Sequence, residues 1–151
     1  ILITNPEERP VFTSADMELS SGEPNKPGDQ DTYEALMTME DKEINLPVRK
    51  TKAAAGYDIE AAEDYIIKPF KPGDAPTFVK TGLKAYMPED EFLMLCNRSS
   101  NPKKKGLVLA NGVGVVDKDY YGNPDNDGHI MFAFYNIKNE DLILKCYYNL
   151  R

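Results

Sequence analysis

Tryptophan is absent from this chain, histidine occurs once and cysteine twice. With His129 alone, one chain cannot build a multi-histidine metal site. A histidine-based triad would have to use that residue, and no serine stands in a nucleophile-elbow pattern. His129 is instead expected to cap the strand that follows it. Cys96 and Cys146 form no C-x-x-C zinc spacing. Two cysteines argue against a disulfide framework as the organising device, so a reducing, cytoplasmic setting is expected. Cys96 shares strand parity with Phe92 and Met94, which predicts a small buried hydrophobe on a common apolar face. No apolar run approaches the ~20 residues of a membrane helix, and Ile1–Asn5 lacks the length and basic flank of a signal peptide. No G-x-x-x-x-G-K-S/T phosphate loop occurs. Basic residues are also in deficit: 18 Lys and Arg face 25 Asp and Glu, for a net charge of −7. That balance argues against general nucleic-acid binding. It leaves room for a phosphate ligand, because local charge decides such binding.

What is present fits one ordinary domain of 151 residues, 41% of them hydrophobic, long enough for a real core. Residues 1–31 read as a flexible arm. Ser20–Asp31 carries two prolines, two glycines and three acids but no apolar residue, and such a composition cannot offset the entropy of ordering. Folded material is expected over 32–151, beginning near Tyr33–Met39, whose period fits strand or helix. From Ala54 onward short β signals alternate with turn residues. They fall at 57–61, 65–68, 76–80, 83–87, 92–96, 107–110, 113–116, 130–135 and 142–147. This rhythm predicts an all-β sandwich or jelly-roll.

Three stretches carry chemistry. In Ala53-Ala54-Ala55-Gly56-Tyr57-Asp58-Ile59, small residues allow tight packing and Asp58 is a fixed carboxylate suited to orienting a hydrated cation. A strand start with a turn-capping Asp explains the same residues. In Asn97-Arg98-Ser99-Ser100-Asn101-Pro102-Lys103-Lys104-Lys105-Gly106, a guanidinium, two hydroxyls and turn amides form a plausible oxyanion cradle. A solvated basic loop is the plainer account. Asn111 through Gly122 is the most informative. An apolar β run ends in Asp117, Tyr120 follows three residues later, and glycines flank both sides. Backbone there can read a flat polar molecule, Tyr120 can hold it, and Asp117 can hold or deprotonate a water. A plain turn residue after a strand is the alternative reading of Asp117.

Taken in order, these stretches resemble the motifs of the trimeric dUTP pyrophosphatase (dUTPase) family, most closely its phage and Gram-positive bacterial members. Ala55–Ile59 is similar to the first motif, Arg98-Ser99-Ser100 to the second, and Asn111–Gly122 to the third. Lys80–Tyr86 resembles the strand between the first two. The likeness runs over about residues 33–145. It implies a dUTPase-like jelly-roll or β-clip, a homotrimer, and Mg²⁺-dependent hydrolysis of dUTP to dUMP and pyrophosphate. By the same resemblance Asp117 would orient and activate water, and Tyr120 would stack under the deoxyribose and exclude a 2′-hydroxyl. Asn111 and the backbone at Gly114 would read the uracil edge. Arg98, Ser99 and Ser100 would contact phosphates, and Asp58 would touch waters around Mg²⁺.

The pattern departs from the family after Lys145, where a Gly-Asp-Arg-x-x-Gln-like fourth motif and a glycine-rich fifth are expected. The chain instead reads Cys146-Tyr147-Tyr148-Asn149-Leu150-Arg151. A missing closing arm would remove a phosphate clamp and a water shield. Two other readings follow. One is a dCTP deaminase-like enzyme, which would need a catalytic Glu near the third motif. The other is a nucleotide-sensing module with a regulatory protein partner.

Overall fold

A computed structural model describes residues 11–14, 44–146 and 150. Among the described residues the fold is all-β apart from one five-residue helix and one 3₁₀ turn. The strands are β1 (Val11–Ser14), β2 (Tyr65–Ile67), β3 (Thr77–Lys80), β4 (Leu83–Tyr86) and β5 (Leu93–Cys96). The helix α1 (Asn101–Lys105) follows, then β6 (Leu107–Leu109), β7 (Val113–Val116), β8 (Met131–Asn136) and β9 (Leu142–Leu144). Every ladder between them is antiparallel. They form small sheets with orders β1-β4, β2-β9, β3-β8-β6 and β5-β7.

Period-2 patterning builds these elements. On β8, Phe132, Phe134 and Asn136 point inward while Met131, Ala133 and Tyr135 alternate outward, as a strand with one buried face requires. The Phe132 and Phe134 rings stack at 5.7 Å within a core that includes Ile59, Ile67, Val79, Leu93, Leu107 and Leu144. Asn136 is fully buried yet satisfied. Its amide donates to Ile67 O at 2.9 Å and Glu140 O at 2.7 Å, and its oxygen accepts Lys138 N–H at 3.0 Å. Buried polar groups persist when paired in this way.

Turn chemistry sets the corners. Gly73 (φ +101) lies between β2 and β3, where Asp74 accepts Lys71 N–H at 2.7 Å. At Thr81-Gly82 the chain leaves the β3 sheet for the β4 sheet. The Thr81 hydroxyl donates to Ile130 O at 2.7 Å and accepts Leu83 N–H at 3.1 Å, so the crossing is pinned on both sides.

Tyr65, on β2, donates to Glu63 Oε1 at 2.8 Å and accepts Lys80 N–H at 2.9 Å. Burial pushes its phenol up from 10.0 to about 12; the Lys80 amide opposes the rise and Glu63 adds to it. The fold therefore favours the neutral phenol. That contribution is complete below the unfolded-state value of about 10 and is lost as pH rises through the folded one. Between pH 10 and 12 the wild-type urea midpoint should fall faster than that of Tyr65→Phe. Parallel declines would reject this.

Two expectations need correction. On β5 the core face is Leu93 and Leu95, while Met94 and Cys96 are half-buried and Phe92 is exposed. Parity was legible but the choice of face was reversed, because either alternate set is apolar. The segment 57–61 contributes no strand, only bridge residues at Asp58, which pairs with Val48, and at Glu60. Within the arm proposed for 1–31, Val11–Ser14 is described, as a strand paired with β4. The rest of 1–31, and Tyr33–Met39, lie outside the described residues.

Candidate active site

The third stretch joins two sheets. Ala110 N–H bonds Ala133 O at 2.9 Å, extending the β6–β8 ladder by one residue. The chain then turns, with Gly112 at φ +70 and Val113 N–H on Asn111 O at 2.7 Å. It re-emerges as β7 beside β5, with Leu93 opposite Val116 and Cys96 opposite Val113. Asn111 is thus exposed at the corner between sheets. Gly114 pairs with Leu95, and a Cβ added there would stand 3.1 Å from Leu95 Cβ. Close packing of the two strands by itself calls for a small residue at that position.

Val116 closes β7 into the core at 7% exposure. Asp117 follows, exposed and extended (φ −85°, ψ 166°) at the head of the 3₁₀ turn Lys118–Tyr120, with no capping bond from its side chain. A carboxylate held by rigid backbone and unspent on a cap is suited to holding water. Beside it, Lys118 Nζ meets Glu89 at 2.9 Å. That hydrogen bond holds the exposed Glu89 carboxyl below its ordinary value and lifts the Lys118 ammonium above its own.

Tyr120 is half-buried against the core. Its hydroxyl donates to His129 O at 3.1 Å and accepts Asn126 Nδ2–H at 2.7 Å. Asn123 Nδ2–H donates to Tyr120 O at 2.7 Å, and Gly82 N–H donates to His129 Nε2 at 3.1 Å. The ring is therefore anchored at both ends. His129, expected to cap the strand that follows, receives bonds from Tyr120 on its carbonyl and from the β3–β4 crossing on its ring. Asn123 and Asn126 were missed in the sequence. The only hint was an Asn/Asp/Pro/Gly turn directly after the aromatic pair.

The second stretch is stitched into shape by asparagines. Asn97 Nδ2–H donates to Leu107 O at 2.8 Å, and Asn101, only 1% exposed, donates to Asn97 Oδ1 at 2.9 Å and Leu150 O at 3.3 Å. This frame leaves Arg98 and Ser99 exposed and Ser100 half-buried at the head of α1. Helix α1 was expected as a loop. Pro102 in its first turn and Gly106 at φ +69 just past its end are its start and stop signals.

Asp58 is buried at 7% exposure, its N–H on Val48 O at 2.9 Å. Its neighbour Ile59 is tied to the second stretch: Leu150 N–H bonds Ile59 O at 2.7 Å, and Leu150 O accepts Arg98 N–H at 3.4 Å. One chain thus brings the first and second stretches together. The third is arranged otherwise. Arg98 continues β5 past Cys96, which faces Val113, whereas Asp117 leaves β7 at the Leu93 end. From the level of Phe92 to that of Cys96 the ribbon is about 13 Å long, at ~3.3 Å per residue. Arg98 and Asp117 of one chain therefore lie off opposite ends of the same ribbon.

Among the described residues, no three His, Cys, Asp or Glu side chains converge to hold a metal ion. Mg²⁺ keeps several waters and needs only one or two carboxylates beside phosphate oxygens. The single buried Asp58 fits that modest, water-mediated demand and does not fit a resident metal cage.

A family model described as dUTPase matches residues 42–149. The deoxyuridine 5′-triphosphate nucleotidohydrolase of Lactococcus lactis is 49% identical over 113 residues, spanning 75% of this chain and 73% of that protein. The chain belongs to the dUTPase family. It is thereby an enzyme of the dUTP diphosphatase class. The Psychrobacter cryohalolentis nucleotidohydrolase is 37% identical over 70% of this chain and 64% of its own length. The crystal structure of dUTPase from Streptococcus mutans superposes with a TM-score of 0.66 at 46% identity, over 76% of this chain and 84% of that one. The all-β fold of the dUTPases is therefore the fold of this chain. A mutant dUTPase from phage phi11 of S. aureus, whose structure describes a structural Mg(II) ion, matches at TM-score 0.50 and 27% identity over 62% of this chain and 53% of that one. Among the described residues, no helix is long and apolar enough to cross a membrane.

Proposed function

We propose that this chain hydrolyses dUTP, presented as its magnesium complex, to dUMP and pyrophosphate, with Asp117 orienting the attacking water. The observation that carries this reading is the exposed Asp117 carboxylate, fixed between buried Val116 and the anchored Tyr120 and left free of any capping bond. Between Asn111 and Asp117, β7 offers about 10 Å of strand at ~3.3 Å per residue, a span suited to a nucleotide laid along it. Asn111 and the Gly114 backbone meet the uracil edge, and Tyr120 packs under the deoxyribose. A base read by buried hydrogen bonds is discriminated strongly, because a mismatched edge leaves polar groups unpaired. Mg²⁺ on the phosphates offsets part of the roughly four negative charges of the triphosphate. Arg98, Ser99 and Ser100 take phosphate oxygens, and Asp58 touches the ion's waters.

Phosphates beside Asp117 cannot meet Arg98 of the same chain, given the ribbon between them. We therefore read the site as shared between copies, in a homotrimer. The outer face of β5 and β7 supports a second copy: Phe92, Val113 and Val115 are 49%, 43% and 62% exposed, a contiguous apolar stripe of the kind that marks an interface.

Pyrophosphate should be released from dUTP and not from dCTP or UTP. Arg98→Ala and Asp117→Asn should each be inactive alone, yet regain part of the activity when unfolded together and refolded as mixed oligomers. Absence of any release from dUTP would reject the reaction. Silent mixtures of two folded variants would reject the shared site. Ammonia release from dCTP would favour the deaminase reading instead.

A further inference from the structure

Lys84 is a cation inside the core that the proposed reaction leaves unused. It lies on β4 between buried Leu83 and Ala85 and is itself 1% exposed. A buried ammonium is costly unless its charge is met. Among the described residues, the groups that meet it come from the segment just after Tyr120. Lys84 Nζ forms an ion pair with Asp127, and it stands 5.1 Å from the centroid of the Tyr121 ring, within cation–π range. The Tyr121 ring in turn meets Tyr86, two residues along β4, edge-on at 5.6 Å.

This segment grips Tyr120. Asp127 N–H bonds Asn123 O at 2.9 Å, and Gly122 N–H bonds Asp127 O at 3.4 Å. The loop is thereby folded back so that Asn123 and Asn126 reach the Tyr120 carbonyl and hydroxyl. Asp127 holds an uncommon left-handed backbone (φ +55). Aspartate is among the few non-glycine residues that accept this conformation, and the ion pair with Lys84 ties it in place.

We propose that Lys84 is a positioning residue: clamped by Asp127 and Tyr121, it fixes the 121–128 loop and so sets the ring of Tyr120 against the sugar. The proposal rests on the dUTP reading for its catalytic consequence, but the clamp itself is testable without nucleotide. Its effect falls on sugar selection. A Tyr120 ring free to shift leaves room where a 2′-hydroxyl would otherwise clash.

The test uses Asp127→Asn and Lys84→Met in the full chain. Asparagine tolerates the left-handed backbone and keeps an acceptor, so Asp127→Asn removes little except charge. Hydrogen exchange of the amides from Tyr120 to Gly128 should quicken by about tenfold, with those of β8 unchanged. The ratio of UTP to dUTP in kcat/KM should rise by about tenfold, and KM for dUTP should rise by a larger factor than kcat falls. Wild-type exchange over 120–128 in a folded variant would overturn the clamp. Faster exchange with an unchanged UTP to dUTP ratio would reduce Lys84 to a stabilising residue and overturn its positioning role. Should Lys84→Met fail to fold, Asp127→Asn decides. Should the wild-type protein not hydrolyse dUTP, the functional reading falls, and exchange alone decides whether the clamp exists.

Discussion

Asp117→Asn should lower kcat for dUTP by about a thousandfold, near 4 kcal/mol of barrier, while dUTP binding changes by no more than about threefold. The substitution keeps shape and removes charge. Asp117 is exposed and its side chain makes no capping bond, so the fold has little to lose. The groups assigned to the base and sugar, Asn111, Gly114 and Tyr120, keep their own anchors. What disappears is the negative charge proposed to polarise and aim water. Pyrophosphate release measured beside calorimetric binding separates the two effects. A folded variant keeping a tenth or more of the wild-type rate would remove Asp117 from this role.

Gly128→Ala should destabilise the fold by about 3 kcal/mol and lower the melting temperature by about 9 °C. Gly128 has φ +82, and a Cβ there would stand 2.7 Å from Tyr120 O, 2.9 Å from Tyr121 Cα and 3.1 Å from Gly122 N. All three are backbone atoms, which cannot swing aside. Gly112→Ala is the matched control. Its φ is +70 with nothing within 4 Å of the added carbon, so only backbone strain of about 1 kcal/mol is expected. Thermal melts of the two variants isolate the crowding. Equal losses would mean that the loop does not wrap Tyr120 as tightly as described.

Most strands were legible because turn residues punctuate short apolar runs, and β8 alternates cleanly from Met131 to Asn136. Parity could not be settled where both faces are apolar, as on β5. There, burial of Leu93 and Leu95 depends on which face meets the core. Lys84 was invisible for a different reason. In Leu83-Lys84-Ala85-Tyr86 a lysine reads as the solvent side of a strand, and its burial depends on Asp127, 43 residues away. Asp117, Tyr120 and Arg98 stood out by residue type and spacing. Their anchors did not, because Asn101, Asn126 and His129 act through individual hydrogen bonds to irregularly spaced partners, which leave no periodic trace. The end-to-end separation of Arg98 and Asp117 follows from the β5–β7 register alone, which composition cannot supply.

The peptide N–H and C=O gripped at Leu150 bear on which residues can stand at that position. Amide hydrogen and carbonyl oxygen are common to almost every amino acid, so the fastening of Ile59 to Arg98 is blind to spelling. At Leu150 it is the fully buried side chain that imposes a demand, and it asks for nothing more specific than an aliphatic filler. Replacing Leu150 by another aliphatic residue is thus cheap for the scaffold beneath the Arg98 turn.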